Sequence, residues 1–206
     1  MKKLLLIFLL LTLIGGGYWL YDRLTVGPER SLYQAFQATQ QHDMIAFERY
    51  VDVESVTSDL VDQVAAQGDV LGPLKISGLG LQQAVQLLKH QLVAAAREEA
   101  QEYVQTGSLK ATQTAPRGGL GNISILGFAG KIVSADSKLK GVKYVKRQGR
   151  EALVGIEFTQ PHFDTTMVLE LKMLDQGDHW QVKQITNTGQ LLKQVMRREK
   201  QAVIAE

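Results

Sequence analysis

His162, Asp164, Asp178 and His179 are the side chains whose types and spacing could do chemistry. Two imidazoles and two carboxylates would serve general acid–base transfer, or His162, Asp164 and His179 a metal ion, provided the fold brought them together. They flank turn signals, however, and consecutive turns of a meander lie at opposite ends of its sheet. The expectation is therefore turn formation by the aspartates and exposed histidines at the edges. Glu157 and Glu170 are expected on the opposite side from the apolar stripe, pairing with lysines across strands.

Other chemistries find less support. The chain has no cysteine, which excludes disulfides, thiolate metal sites, thiol nucleophiles and a lipidated cysteine. No Gly-x-Ser-x-Gly stands in it, so a hydrolase nucleophile elbow is not expected. Gly119 and Gly121 are followed by Ser124 where a dinucleotide fingerprint needs glycine, and no Gly-Lys-Ser/Thr follows, so neither nucleotide nor any other cofactor is called for. Asn122, Ile123 and Ser124 form a glycosylation sequon. No catalytic, cofactor or metal residue is nominated.

Charge placement carries more information. Lys138, Lys140, Lys143, Lys146, Arg147 and Arg150 fall within thirteen residues that contain no acid. Residues 43–69 hold seven acids against one base, Arg49, a local net charge of −6. The overall +2 thus conceals two opposite segments. The two could match within one molecule or between two copies, or the basic one could meet anionic headgroups or a protein partner. A further reading makes it an edge strand whose lysines oppose edge-to-edge aggregation. Nucleic acid is not expected as a partner, since only Tyr144 could stack among the bases.

These segments need positioning, and the first positioning element is the N-terminus. Lys2 and Lys3 precede seventeen uncharged residues, 4–20, closed by Tyr21, Asp22 and Arg23. At roughly 1.5 Å per residue such a run covers most of a hydrocarbon core. Tyr18, Trp19 and Tyr21 cluster at its far end like an interfacial belt, and the paired lysines favour an N-terminus left in the cytoplasm. Residues 1–23 are expected to form an uncleaved signal anchor, followed by a tether over 24–30. The alternative is cleavage near Gly15, Gly16 and Gly17 and secretion of the body.

Beyond the tether the period is helical. Leu32, Ala35, Phe36 and Thr39 predict one apolar face; Asp43 and Asp52 read as N-caps of two further helices. Phe47, Tyr50 and Val51 are expected on the buried side of the second, and Val53, Val56, Leu60 and Val64 on that of the third, which Gly68 should end. Glu48, Glu54, Asp59 and Asp62 are expected on the solvated side. A long helix is predicted from about 79 to 105, with Leu81, Val85, Leu88, Leu92, Ala96 and Tyr103 on its packing side. A glycine-rich connection over 108–137 follows, with 123–128 docking on the body.

From Val142 the period becomes two. Ala152, Val154, Ile156 and Phe158 alternate with polar or small residues, as do Met167, Leu169, Leu171 and Met173, then Trp180 and Val182. With 142–147 in front, this predicts a four-stranded antiparallel meander over 138–187, its apolar face covered by the helices. Asn187 or Thr188 should cap a final helix over 188–206 bearing Leu191, Leu192, Val195 and Met196. That helix could also lie on a membrane through Lys193, Arg197, Arg198 and Lys200. The predicted fold is α+β, a single domain over 31–206.

The segment "YQAFQATQQHDMIAFERYVDVESVTSDLVDQV", placed after an apolar leader and before a meander that closes on "HWQVKQI", resembles the bacterial "domain of unknown function" family 2939, most clearly over residues 31–64. The last strands also look like those of cystatin-like and nuclear-transport-factor-2-like cone folds. The resemblance implies a small α+β domain, anchored in or exported across a bacterial inner membrane, its body in the periplasm. It supplies no functional residues. The expected function is a cell-envelope binding or interaction module with a protein partner, a second copy, or a lipid or small molecule as ligand. The alternatives are an envelope enzyme using a cone cavity, or a peripheral binder of anionic membranes.

Overall fold

The computed structural model describes residues 27–66, 81–107, 132–133 and 136–205. The anchor expected over 1–23, Gly68, the docking run 123–128 and most of the glycine-rich connection lie outside these residues. Among the described residues no helix is long and apolar enough to cross a membrane.

The chain is α+β, four strands and five helices in the described residues. Helices α1 (Pro28–Gln40), α2 (Met44–Tyr50), α3 (Val53–Ala65) and α4 (Leu81–Thr106) precede strands β1 (Leu139–Gln148), β2 (Glu151–Gln160), β3 (Thr165–Asp175) and β4 (Trp180–Ile185), and α5 (Thr188–Ala205) closes the chain. The sheet is antiparallel in the order β1-β2-β3-β4, the predicted meander. Helix α1 begins at Pro28, inside the stretch expected as tether, because proline fixes φ for a first helical position whose N–H has no partner in any case.

The two predicted caps form. Ala46 N–H donates to Asp43 Oδ1 at 2.9 Å, and Ser55 N–H donates to Asp52 Oδ1 at 3.0 Å. Between α1 and α2 the chain turns at His42, which holds φ 58 and bonds through Nδ1 to the Val104 carbonyl at 2.8 Å. A carbonyl only accepts, so Nδ1 carries the proton. This bond ties the turn to the last turn of α4.

All helices whose packing is described cover one face of the sheet. Val56, Leu60 and Val61 of α3 and Ala96 of α4 pack with Ala152, Val154, Leu171, Met173, Trp180 and Val182. A second cluster joins Phe158 and Met167 to Leu191 and Val195 of α5 and to Ile132, at the end of the glycine-rich connection. Gln160 anchors that point by donating from Nε2 to the Ile132 carbonyl at 2.8 Å.

Besides His179, whose side chain is only 16% exposed and lies edge-on to the Tyr50 ring where an exposed histidine is expected, three side chains fall elsewhere than predicted. Phe36 is 52% exposed and Tyr103 is 44% exposed. Helix α1 instead buries Ser31, Ala35 and Ala38, and α4 buries Val104. Small residues at i, i+4 and i+7 let α1 approach β4 closely enough for Trp180 N–H to donate to Ser31 Oγ at 2.9 Å. Asp59 is the third: it is half-buried, accepts from Gln63 and Gln184, and desolvation raises its carboxyl above the ordinary aspartate value despite those bonds. The side-chain cap of α5 expected from Asn187 or Thr188 is not made, the Thr188 hydroxyl donating to the Ile185 carbonyl at 3.4 Å. Gln63 Oε1 accepts from Gly189 N–H at 3.2 Å, while Asn187 spends its amide on β3, taking Glu170 N–H and giving to the Val168 carbonyl.

Candidate functional site: the basic edge strand

Strand β1 forms the outer edge of the sheet, and the six bases predicted as a contact lie along it. Ten residues of strand at about 3.3 Å each span roughly 33 Å, so Lys138 and Arg150 stand at opposite ends of the molecule. The acidic segment packs at the other edge. There Asp52 N–H donates to the Val182 carbonyl at 2.9 Å and Val51 bridges Val182 in parallel. Among the described residues no ion pair joins a base of 138–150 to an acid of 43–66. Among the described residues the intramolecular match considered from the sequence is therefore not made. Those acids pair locally instead: Asp52 with Lys183, Asp62 with Lys89 and Glu48 with Arg97.

Each base of β1 has its own setting. Register shifts at 139/141 and 142/144 mark bulges, with Gly141 at φ 135, a conformation that an L side chain resists. Lys143 pairs with Glu157 at 3.0 Å, the cross-strand contact expected of Glu157. That hydrogen bond lowers the Glu157 carboxyl. Arg147 opposes Ala152 and so faces the helices, its guanidinium 5.4 Å from the Trp180 ring and 3.8 Å from Glu29. Arg150 donates to the Asp175 carbonyl at 2.9 Å. Lys146 sits 5.0 Å over the Tyr144 ring.

The solvent side of the sheet carries a network that the alternation pattern did not reveal. Gly155 lies beneath the ring of Tyr144, where a Cβ would come within 2.5 Å of ring atoms. Tyr144 donates its hydroxyl to Glu170 Oε2 at 2.6 Å, and Thr186 donates to Glu170 Oε1. The bonds from Thr186 and then Tyr144 hold Glu170 below the usual carboxylate range. The Tyr144 hydroxyl is pushed up to about 12, chiefly by its bond to Glu170. A phenol held this firmly as a donor is a poor acid and keeps its proton, so the network locks three strands together. A glycine facing a tyrosine across the register was the only signal for it in the sequence.

The chemistry candidates are kept apart. His162 and Asp164 bound the short 3-10 turn between β2 and β3, with Asp164 at φ 44. Asp178 and His179 lie in the β3–β4 turn at the opposite end, where Asp178 binds His179 and Arg49. Its bond to His179 lowers its carboxyl most. The helix-facing side of the sheet is filled by the core side chains named above. Open grooves among the described residues include two. One, of about 320 Å³, runs between α1 and α2 beside Gln37, Gln41, Arg49 and Tyr50. The other, of about 590 Å³, lies at the far end of β1 between Lys138, Lys140, Asp136, Asp164, Thr165 and Thr166.

No family model matches the chain, and no curated protein or solved structure matches it.

Proposed function

We propose that this protein is a membrane-anchored, extracytoplasmic module of the cell envelope whose folded body binds a partner. Residues 4–21 would span the bacterial inner membrane, leaving the N-terminus in the cytoplasm and the body in the periplasm. The resemblance to family 2939 over residues 31–64 forms part of this reading. The observation that carries the binding role is the β1 edge, unpaired among the described residues, whose Lys138, Lys140 and Lys146 make no ion pair there, Lys140 and Lys146 acting only at longer range on Glu157 and Glu170, while the β4 edge is covered and paired. The filled face of the sheet weighs against a cone-cavity enzyme, since that cavity's place is taken by the protein's own core.

Native mass spectrometry of the full chain, gently extracted from its own membrane, tests both halves. The expected mass includes the apolar leader and a stoichiometric second component, either a protein or a second copy. A mass that begins after residues 15–17 would contradict the anchor. An intact chain that brings nothing with it, even after crosslinking in cells, would contradict the binding role.

A further inference from the structure

The end of the body at which the chain enters is built from three pieces far apart in sequence. Ser31 in the first turn of α1 receives Trp180 N–H at the start of β4, and Arg147 reaches both Trp180 and Glu29. Arg150 and Asp175 exchange bonds, Arg150 Nη2 to the Asp175 carbonyl and Asp175 N–H to the Arg150 carbonyl, both at 2.9 Å. The β1–β2 turn, the β3–β4 turn and the N-terminus of α1 therefore form one surface, from which residues 1–26 depart.

The acids of this surface are each engaged. Glu29 lies 3.8 Å from Arg147, Glu151 lies 2.9 Å from Lys172, and Asp178 holds Arg49 and His179. Asp175 Oδ1 accepts from Gly177 N–H at 2.7 Å. Arg30, Lys146 and Arg150 are exposed and make no ion pair among the described residues. The surplus charge at this end is positive.

We propose that this surface rests on anionic lipid headgroups, with Arg30, Lys146 and Arg150 as the contacts. The inference depends on the anchor reading above. Six residues lie between Tyr21 and Pro28, and the seven steps they span, at most about 3.5 Å each, hold this end within roughly 25 Å of the hydrocarbon. The bases thus stand where an anionic leaflet's potential acts, each strengthening contact roughly fivefold within a Debye length. Lys138 and Lys140 point away at the far end of β1 and remain available to a partner, so the six bases divide between two surfaces. A protein partner at the entry end is the competing occupant, and the chain's own tether favours the lipid.

The test is amide hydrogen exchange of the full chain in nanodiscs, either phosphatidylglycerol-rich or purely phosphatidylcholine. Expected is slowed exchange of residues 148–151 and of the first turn of α1 in the anionic discs alone. Salt of roughly 0.5 M, which shortens the screening length to a few ångströms, should abolish it. The triple variant R30E/K146E/R150E should lose the slowing while residues 160–166 exchange as in the parent, which reports an intact fold. Equal exchange in both discs by an inserted chain overturns the proposal and leaves the anchor standing. Equal slowing in both discs shows a contact indifferent to headgroup charge and also overturns it. A chain that fails to enter either disc removes the anchor and the proposal together.

Discussion

The two edges of the sheet are treated in opposite ways. At β4 the free side of the strand receives Asp52 N–H and the Val51 bridge, α1 and α3 pack over it, and Lys183 is matched by Asp52 at 2.7 Å. At β1 the strand is bulged, no described residue pairs with its outer backbone edge, and its bases outnumber their ion-pair partners among the described residues. Charge at the β4 edge is consumed in holding the fold. Charge at the β1 edge is kept in water, where it blocks stray strand pairing and remains available to a chosen partner. On the proposed function, stability and recognition would reside at opposite sides of one sheet, and substitutions should separate them.

The largest effect is expected at Trp180, which is 4% exposed and touches α1, β1 and the core. Trp180→Ala should lower unfolding free energy by about 3–5 kcal/mol in a urea titration. A loss under 1 kcal/mol would break the assignment of stability to the β4 side. Next comes Gly155→Ala, which forces the Tyr144 ring aside and strains its bond to Glu170. About 1–3 kcal/mol should be lost, and Tyr144→Ala in the same background should recover part of it.

Asp52 sharpens the comparison through pH. Burial alone would raise its carboxyl, but the bonds from Lys183 and Ser55 outweigh burial and hold it below the ordinary value. A depressed folded-state value means that the stabilisation is present above the unfolded value, near pH 4, and disappears as pH falls through the folded one. Asp52→Asn should flatten the acid limb of the stability curve below about pH 4 and cost up to about 1 kcal/mol at neutral pH by removing the charge that Lys183 faces, since asparagine caps a helix as well as aspartate. Tyr144 has the opposite sign. Its hydroxyl is raised from 10.0 to about 12, so its contribution is complete below pH 10 and is lost as pH climbs towards 12. Tyr144→Phe should remove that alkaline step, seen in phenolate absorbance and in thermal melts.

The smallest stability effect belongs to the β1 edge. K138T/K140T should change unfolding free energy by less than about 0.5 kcal/mol. The same variant should self-associate more readily in sedimentation, because two edge charges are gone. A large loss of stability with unchanged association would erase the distinction between the edges.

The meander was legible because its apolar alternation is nearly unbroken from Ala152 to Val182, and a two-residue period has one reading. The caps at Asp43 and Asp52 were legible because a carboxylate before a helical stripe serves free amides. Phe36 and Tyr103 were misplaced because hydrophobicity ranks them above the small residues and Val104 that close packing selects. Asp59, the Gln63 cap on α5 and the Tyr144–Glu170–Thr186 network depend on neighbours far away in sequence, which no local period encodes. The six bases were found as a group, but their division between two ends follows from strand length and hairpin placement, and composition does not contain that.

The central claim is that the body stands outside the membrane on an intact anchor. The chain lacks cysteine, so a single Glu98→Cys on the exposed face of α4 gives one reporter thiol. A membrane-impermeant maleimide should label it in spheroplasts, with the labelled, full-length chain retained in alkali-washed membranes. Labelling only after lysis, or recovery of the chain in the soluble fraction, would contradict the account.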